Sequence, residues 1–395
     1  MYRSLLRYFV NKKMWVRIGY LSTVAVGVGA IVVANFAFKG GYMQPSTFTN
    51  IMLGLLVTLF FTKLFFLPFP LFEDLFRLLK FGYDASTKAL DKNRKPAKFW
   101  SRRRFIGKLG LAVAALPFSA FLYGVFKGRY DFTVHHVSVP SPDLPAAFDG
   151  FKIAQISDVH AGSFDRIEAV KKGIDLIQAQ GADVIVFTGD LVNNRALEVE
   201  PYIEHFGKLS APYGKYAVLG NHDYGNYVKW PSPEAKNENL ATLAQHHKDM
   251  GFRLMNNESV LIEKEGASIR LAGVENWGKK PFPQYGDLSK TFQQAAADDF
   301  SILLSHDPSH WDEQVIDFSQ KIHLTLSGHT HGMQMGVEIP GFRWSPVKYR
   351  YPRWAGLYEA KNQFLYVNRG FGFIGFPGRV GIWPEITVLE LKRTA

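Results

Sequence analysis

The sequence predicts an α/β domain preceded by a helical membrane region. From residue 128 onward, apolar runs of strand length alternate with stretches whose apolar residues recur at helical spacing. Before that point, three apolar segments are each long enough to cross a bilayer. Five of the predicted strands are followed at once by aspartate, histidine or asparagine. These observations divide the chain into a membrane anchor, residues 1–126, and an α/β domain, residues 127–395.

The three membrane segments are residues 15–38, 48–68 and 105–126. A transmembrane helix takes about 20 apolar residues, and each segment reaches that length. Lys63 and Lys108 lie near segment ends, where a long side chain can reach the lipid headgroups. Little polar sequence surrounds these segments. A membrane location is therefore favoured over a buried position in a soluble core.

The positive charge of the chain belongs to the anchor. Residues 1–126 contain 18 Lys and Arg against 4 Asp and Glu, whereas residues 127–395 contain 28 against 31. A nucleic-acid-binding enzyme carries its basic surface on the folded domain, so no nucleic-acid partner is expected. The absence of cysteine excludes disulfides, thiolate catalysis and cysteine-ligated zinc.

The basic residues also predict the orientation in the membrane. Residues 1–17 carry five Lys and Arg without an acid, and residues 69–104 carry ten against four. The positive-inside rule places both stretches in the cytoplasm. With three crossings, a multi-pass anchor in a bacterial cytoplasmic membrane holds the α/β domain on the outer, extracytoplasmic face.

The stretch Ser101–Arg104 allows two interpretations. The run "SRRRF" before an apolar segment is similar to a twin-arginine export signal, which exports proteins already folded. It also fits a basic anchor in front of a transmembrane helix, and two membrane segments precede it. Both interpretations send the α/β domain outward, and cleavage after the third segment stays open.

In the α/β domain, candidate metal ligands follow the carboxyl ends of five predicted strands. The runs are "FKIAQISDVH", "ADVIVFTGD", "GKYAVLGNHDY", "FSILLSHDP" and "IHLTLSGHTHG". Sites in open α/β sheets form in the crevice outside these strand ends. Together the runs supply seven side chains of metal-binding type: Asp158, His160, Asp190, Asn221, His306, His329 and His331.

This set of ligands predicts a dinuclear centre. Imidazole with carboxylate suits Zn, Fe or Mn and argues against Ca, which takes oxygen ligands only. Four or five ligands suffice for one ion, so seven indicate two. Paired ions roughly 3.5–4 Å apart activate water and hold the oxygens of a displacement at phosphorus. The expected cofactors are therefore two divalent metal ions, and Mn, Fe and Zn all fit.

The order of the motifs "DVH", "GD", "GNHD", "SH" and "GHTH" resembles the calcineurin-like metallophosphoesterase superfamily. Two longer runs, "LPAAFDGFKIAQISDVHAG" and "NRGFGFIGFPGRVGIWPEITVLEL", are similar to its membrane-attached bacterial branch. The resemblance implies a four-layer α/β/β/α sandwich with the dinuclear metal centre at the strand ends. It also implies the ligand sets: Asp158, His160 and His331 on the first ion, Asn221, His306 and His329 on the second, and Asp190 on both.

The same resemblance implies catalytic roles for His222 and Asp223. A hydroxide bridging the two ions attacks phosphorus in line, because a bound water loses its proton near neutral pH. His222 faces the leaving-group oxygen as proton donor or transition-state stabiliser, and Asp223 holds its ring in position. A position of His222 behind the metal ligands, away from the substrate, stays open.

Two aromatic segments and a histidine pair carry further expectations. Residues 339–359 interleave Arg and Lys with Trp and Tyr, which suits lipid headgroups, although a structural loop over the site fits equally. His246 and His247 follow a polar helical stretch and are expected to face solvent. Residues 368–379 predict an apolar lip made of Phe371, Phe373, Ile374 and Phe376 among glycines.

The predicted function is a membrane-anchored, metal-dependent phosphoesterase, with a phosphodiesterase favoured over a monoesterase. Its expected partners are membrane lipids and a phosphate ester substrate, and a lipid-linked phosphodiester or pyrophosphate fits the anchor and the aromatic segments. The resemblance includes enzymes that cleave the UDP-linked diacylglucosamine pyrophosphate. That substrate is cytoplasmic, so the predicted orientation disfavours it.

Two alternatives stay open. One is a phosphomonoesterase or nucleotide hydrolase that the membrane merely tethers. The other is a binding domain without catalysis, which has no need of all seven ligands together with His222.

Overall fold

The computed structural model describes residues 46–90 and 100–394, and also residues 14, 18, 21–25 and 27–29. The chain separates between Val125 and Phe126 into an N-terminal helical unit and a C-terminal α/β unit. The described part of the N-terminal unit contains α1 (Thr47–Phe66) from its second residue onward, α2 (Pro68–Leu90) and all but the last residue of α3 (Trp100–Phe126).

Within the described part of the chain, Thr47–Ser86 and Phe105–Phe126 are long and apolar enough to cross a membrane. α1 and α3 lie against each other, since the rings of Phe61 and Phe121 stack with centroids 4.7 Å apart. Gly54 permits this approach, because a Cβ there would lie 2.5 Å from Val125 Cγ1. Small residues allow close packing in the same way between transmembrane helices. The predicted segment 15–38 lies largely outside the described residues.

The described part of residues 69–104, the stretch that the positive-inside rule assigns to the cytoplasm, is helical, because Pro68–Leu90 forms α2 and α3 begins at Trp100. Charged side chains such as Asp74 and Arg77 interrupt the apolar run along this helix. They make α2 less apolar on average than α1, although the candidate span Thr47–Ser86 includes most of it. An amphipathic pattern of this kind supports a helix. Leu75 and Leu78 are exposed, so α2 presents an apolar surface.

The α/β unit is built on strands and short helices that alternate along the chain. Its strands are β1 (Thr133–Ser141), β2 (Lys152–Ile156), β3 (Val184–Phe187), β4 (Lys215–Ala217), β5 (Arg253–Leu254), β6 (Glu258–Lys264), β7 (Ala267–Gly273), β8 (Ser301–Leu304), β9 (Leu324–Ser327), β10 (Val337–Ile339), β11 (Phe342–Trp344), β12 (Gly356–Ala360), β13 (Gln363–Val367) and β14 (Glu385–Arg393). Its α-helices are α4 (Ile167–Gln178), α5 (Ile203–Gly207), α6 (Pro233–Asp249), α7 (Leu288–Thr291) and α8 (Ser309–Glu313).

Two six-stranded sheets form the centre of the described α/β unit. The first has the order β1-β14-β2-β3-β4-β5 and the second the order β12-β13-β9-β8-β7-β6. β2 to β5 run parallel in the first sheet, and β7, β8, β9 and β13 run parallel in the second. The parallel strands of each sheet therefore end at one common edge, where loops that carry ligands can meet.

Alternating side chains divide each sheet between an inner and an outer core. Val186 of β3 and Leu326 of β9 belong to one buried cluster shared by both sheets. Phe187 lies on the opposite face of the first sheet, in a cluster that includes residues of α4, α5 and α6. Leu303 lies on the outer face of the second sheet, with Trp311 of α8. This arrangement confirms the predicted four-layer α/β/β/α sandwich.

The structure contradicts the expected exposure of His247. This residue of α6 is fully buried, and neither ring nitrogen has a hydrogen-bond partner among the described atoms. Its ring faces Phe187 with centroids 5.9 Å apart. Burial, reinforced by the nearby His246, lowers the pKa of His247 to about 3. The burial of His247 could not be predicted from the sequence because α6 is mostly polar. Only a few of its residues pack against the sheet.

Replacing His247 with leucine should raise the thermal midpoint of the detergent-solubilised chain, and more so at acid pH. A buried polar group without a partner costs about 1–3 kcal/mol, which leucine removes. The unfolded histidine takes up a proton near pH 6.5 and the folded one near pH 3. The free energy of unfolding of the wild-type chain therefore decreases as pH falls from about 6.5 toward 3. The leucine variant has no imidazole at this position and does not show this decrease.

Thermal unfolding at pH 5 and pH 7.5 measures this effect, with the half-buried His205→Leu as control. A gap between wild type and His247→Leu that does not widen at pH 5 would contradict the assignment of a buried neutral imidazole.

Candidate metal centre

Loops from both sheets meet at one edge of the sandwich. Asp158 and His160 follow β2, and Asp190 follows β3. His306 follows β8 of the second sheet, and the His329–His331 pair follows β9. The sequence could assign each residue to a strand end, and the facing of the two sheets is what brings them into one site.

The first ligand cluster consists of Asp158, His160 and His331. One ligand atom from each lies within 4.8 Å of the other two, and all three residues are buried. Nε2 of His160 is 3.0 Å from Nε2 of His331, and the latter is 3.2 Å from Asp158 Oδ1. Two ring nitrogens this close either share a hydrogen as N–H···N or bind a common cation.

The second cluster consists of Asp190, His306 and His329, with ligand atoms within the same 4.8 Å. Nε2 of His306 is 3.3 Å from Nδ1 of His329 and 3.2 Å from Asp190 Oδ2. The two histidines of "GHTH" therefore serve different clusters. His329 uses Nδ1 toward the second cluster, whereas His331 uses Nε2 toward the first.

Asp190 joins the two clusters through a single oxygen. Its Oδ2 lies 3.2 Å from His306 Nε2 and 3.5 Å from His160 Nε2. Its Oδ1 accepts a hydrogen bond of 2.9 Å from the backbone N–H of His222. This bond orients the carboxylate, so Oδ2 is the oxygen that both clusters share.

Outer hydrogen bonds fix which histidine nitrogen faces the centre. His306 Nδ1 lies 2.7 Å from the carbonyl of Thr188, so it donates and leaves the lone pair on Nε2. His329 Nε2 lies 2.8 Å from Tyr351 Oη, which in turn donates to Asp307 Oδ2 at 3.3 Å. Such outer partners orient metal-ligating histidines and raise their basicity.

Asn221 fits the predicted role of an oxygen ligand. Its Nδ2 donates to Tyr227 Oη at 2.9 Å, which fixes the orientation of the amide. Its Oδ1 is buried and has no hydrogen-bond partner in the described part of the chain. A buried amide oxygen without a donor is costly, and a cation at the second cluster would satisfy it.

Five of the seven predicted ligands adopt a left-handed backbone conformation, which costs a residue other than glycine roughly 1–2 kcal/mol. The φ angles are 51° for Asp158, 47° for His160, 60° for Asp190, 71° for His329 and 50° for His331. Outliers of this kind concentrate at functional sites, where surrounding contacts hold them. These left-handed residues form sharp turns just after the strands, and the turns direct the ligand side chains toward the metal centre.

The glycines of the motifs are required by close approach. A Cβ on Gly328 would lie 1.9 Å from Ser157 Oγ and 2.2 Å from Asp158 Oδ2. A Cβ on Gly220 would lie 2.2 Å from Asp190 Oδ1. The "GH" and "GN" pairs therefore let neighbouring loops touch the carboxylates without a side chain between them.

Burial and charge act in opposite directions on the ionisable ligands. Burial lowers the pKa of His306, but the Asp190 and Asp158 carboxylates outweigh it and raise that pKa to about 10. Burial raises the pKa values of Asp158 and Asp190, yet His331 for the first and His306 for the second bring both well below the ordinary range. The metal-free cluster therefore holds ionised carboxylates and a proton on His306, which a divalent cation would displace.

The structure contradicts the predicted contact between Asp223 and the ring of His222. The carboxylate of Asp223 points inward and accepts backbone hydrogen bonds of 2.8–3.2 Å from Asp190, Leu191, Val192 and Gly220. These bonds occupy both its oxygens, so Asp223 holds the loop that carries Asp190. Burial and the Asp190 charge raise the pKa of Asp223 to about 7, against the lowering effect of the amide donors.

The carbonyl of Asn193 holds the His222 ring instead. His222 Nδ1 lies 2.8 Å from this oxygen and so donates to it, which leaves Nε2 as the other functional nitrogen. The ring is half-buried, with centroids 5.0 Å from His160 and 4.5 Å from Tyr227. His222 therefore lies beside the first cluster with Nε2 available to a substrate.

Sequence reasoning missed several residues that contact the ligands. Asn193 follows Asp190 by three positions in "GDLVN", but it acts through its backbone carbonyl, which residue type does not reveal. Tyr227 and Tyr351 reach the site from loops, and no sequence spacing predicts their contacts. Arg379 is fully buried, with Nη2 3.3 Å from His331 Nδ1 and hydrogen bonds to the carbonyls of Gly370 and Gly372.

The predicted apolar lip at residues 368–379 is wrong for Phe371 and Phe373. Both are buried in the core beside the first sheet, whereas Ile374 and Phe376 are half-buried. A Cβ on Gly372 would lie 1.9 Å from the Val159 carbonyl, so this segment packs tightly against the loop after β2. The glycines serve that contact, and the phenylalanines between them turn inward.

The fold and the paired clusters are those of a metallophosphoesterase. The chain matches the family described as "Calcineurin-like phosphoesterase" over residues 151–333. Residues 1–129 match the family described as "Probable Calcineurin-like phosphoesterase, transmembrane domain". The chain belongs to the calcineurin-like phosphoesterase family and carries an N-terminal transmembrane domain, which confirms the predicted resemblance.

Three relatives show the range of the similarity. The uncharacterized metallophosphoesterase YkuE of Bacillus subtilis is 32% identical over 307 residues, which cover 75% of this chain and 99% of that protein. A transmembrane protein with metallophosphoesterase domain of Danio rerio is 28% identical, over 73% of this chain and 64% of its own length. The UDP-2,3-diacylglucosamine pyrophosphatase LpxG of Chlamydia trachomatis is 27% identical, over 58% of this chain and 81% of its own.

Proposed function

We propose that this protein is a membrane-tethered, two-metal phosphodiesterase or pyrophosphatase whose substrate is linked to a lipid. The observation that carries the proposal is Asp190, whose Oδ2 faces histidines of two separate ligand clusters. A single ion would need no such shared carboxylate, whereas paired ions are the arrangement used for displacements at phosphorus.

The two clusters divide the ligands between two divalent cations, with Mn, Fe and Zn as candidates. Asp158, His160 and His331 hold the first, and His306, His329 and Asn221 hold the second. When bound, such ions lower the pKa of water to near neutrality and stabilise charge on phosphoryl oxygens. Six of the seven ligands are at most 5% exposed and His329 is half-buried, so bulk water has little access to their donor atoms.

His222 supplies the proton for the leaving group. The Asn193 carbonyl accepts from Nδ1 at 2.8 Å, which restrains the ring and makes Nε2 the nitrogen that would carry a proton to the leaving group. Tyr227 packs on the ring with centroids 4.5 Å apart and binds the Asn221 amide. In this way one tyrosine positions both the proton donor and a ligand of the second ion.

A lipid-linked substrate is supported by the transmembrane domain and by one relative. The match over residues 1–129 places a membrane domain directly before the α/β unit. LpxG, a UDP-2,3-diacylglucosamine pyrophosphatase by name, shares 27% identity. A membrane domain keeps the site within reach of substrates that do not leave the bilayer.

Hydrolysis assays on the full chain in detergent test this proposal. The protein is loaded separately with Mn, Fe or Zn and given a chromogenic phosphodiester, a chromogenic phosphomonoester, or a phospholipid. The expected result is metal-dependent turnover, higher kcat/KM for the diester than for the monoester, and higher again for the lipid. Two bound metal equivalents without turnover of any of the three would contradict the proposal and favour a binding domain.

We also propose that the α/β unit lies outside the cytoplasm. Lys361→Cys should react with a membrane-impermeant maleimide on intact cells, because Lys361 is exposed between β12 and β13 and the chain contains no other cysteine. Lys12→Cys, in the basic N-terminal stretch, should react only after permeabilisation. The reverse pattern at Lys361 would indicate a fourth crossing, for which α2 is the candidate, and a cytoplasmic site.

A further inference from the structure

The β10–β11 hairpin stands apart from both large sheets. Its strands pair only with each other in the described chain, with Val337 opposite Trp344, Glu338 opposite Arg343 and Ile339 opposite Phe342. The strands are joined by Pro340 and Gly341, and Gly341 has φ +78°, which suits glycine. An isolated two-stranded hairpin is marginally stable in water, so contacts elsewhere must hold it.

The polar face of the hairpin is the one tied to the α/β unit. Glu338 forms two hydrogen bonds, of 2.5 and 3.0 Å, with the buried Arg369. Arg343 lies over the rings of Trp354 and Tyr358, 5.4 and 5.7 Å from their centroids. Alternate residues of a strand point to opposite faces, so the apolar face is turned the other way.

That apolar face is exposed. Val337, Ile339 and Phe342 retain 43%, 58% and 52% of their accessible surface, and Trp344 completes the face in a half-buried position. A sheet in water normally buries its apolar face and exposes its polar one. This hairpin leaves its apolar face exposed along with Glu338 and Arg343, which fits contact of that face with an apolar phase outside the α/β unit.

The charge of the residues around the hairpin indicates that the apolar phase is an anionic lipid membrane. Residues 333–354 contain four basic side chains and one acidic one, although residues 127–395 carry more acids than bases. Lys348, Arg350 and the 78%-exposed Tyr349 follow the hairpin directly. Exposed apolar residues flanked by cations and an aromatic ring match the chemistry of an anionic lipid surface, into which such residues insert while the cations meet the headgroups.

We propose that the β10–β11 hairpin inserts its apolar face into the surface of an anionic bilayer. Only Lys127 separates α3 (Trp100–Phe126) from the short helical turn at Gly128–Tyr130, so a single residue links this membrane-length helix to the α/β unit. The base of the hairpin is fixed to the metal loop, since Ser345 Oγ donates to the Gly332 carbonyl at 2.7 Å. Lipid contact would therefore set the position of the metal centre relative to the headgroups, whichever ester the site hydrolyses.

Site-specific fluorescence in the reconstituted full chain tests this proposal. The chain has no cysteine, so Ile339→Cys can carry a single environment-sensitive fluorophore. The matched control is Glu265→Cys, at the exposed polar tip of the β6–β7 hairpin. Proteoliposomes contain phosphatidylcholine with or without phosphatidylglycerol, and quenching is measured with acyl-chain nitroxides and with aqueous iodide.

The expected result is several-fold stronger nitroxide quenching at position 339 than at position 265, weaker iodide quenching, and a larger effect with phosphatidylglycerol. Adding Phe342→Asp to the Ile339→Cys chain should return the label to water without changing hydrolysis of a soluble ester. A label at position 339 that iodide reaches as easily as the control overturns the proposal. Protection from both quenchers also overturns it, because a protein surface then covers the hairpin.

Discussion

Replacing Asp190 with alanine should lower phosphodiester hydrolysis by at least about 10³-fold, beyond the 10–100-fold typical of losing an outer hydrogen-bond partner. The reason is that Asp190 Oδ2 faces both clusters, at 3.2 Å from His306 and 3.5 Å from His160. Its removal weakens both metal sites at once. The measurement is kcat together with the metal content of the purified chain.

The control for this prediction is Asp317→Ala, which removes an exposed carboxylate that pairs with Lys361 and belongs to neither ligand cluster. It should retain two metal equivalents and full activity. An Asp190→Ala chain that still binds two equivalents with unchanged turnover would show that the carboxylate is not a shared ligand.

Replacing His222 with glutamine should lower kcat by about 10²–10⁴-fold, the range associated with a general acid. Metal content should stay at two equivalents, because the ring belongs to neither cluster and contacts Asn193 through Nδ1. The loss should be larger for an alkyl leaving group, which needs a proton, than for nitrophenolate, which departs without one.

Paired assays with the two leaving groups measure this difference. An equal loss on both substrates, together with lowered metal content, would place His222 among the structural supports of the ligands. The His205→Leu chain serves again as the histidine control, since His205 lies on α5, away from the ligand loops.

The ligands could be predicted because each one follows a strand end directly. A parallel strand fixes where its loop emerges, so the sequence could assign Asp158 to the end of β2 and His306 to the end of β8. The facing of the two sheets then brings these strand ends together. The resemblance to a known family then distributes the two histidines of "GHTH" between the ions. The nitrogen–nitrogen distances of 3.0 and 3.3 Å show the same division into two clusters.

The residues that orient those ligands could not be predicted, because their contacts depend on loop paths. Asn193 binds His222 through its backbone carbonyl, which carries no signature of residue type. Asp223 is adjacent to His222 in sequence, yet its carboxylate turns to four backbone amides. Because the two residues are adjacent, the sequence suggested that Asp223 contacts the His222 ring. Buried backbone N–H groups need an acceptor, and the Asp223 carboxylate accepts from them instead.

The sequence also could not predict which apolar residues in the aromatic segments are buried. Phe371 and Phe342 both stand beside glycines in aromatic-rich segments, but one is fully buried and the other 52% exposed. The difference arises from the partner of each segment. Residues 370–373 pack on the loop after β2, whereas the hairpin is tied down through Glu338 and Arg343 and leaves Phe342 outside.

The most direct test of the two-metal site is turnover of a chromogenic phosphodiester by the full chain at increasing Mn-to-protein ratios. Two clusters that share Asp190 predict little activity at one equivalent and a steep rise as the second ion binds. Full activity at one equivalent, or none at two, would contradict a site in which both clusters act together.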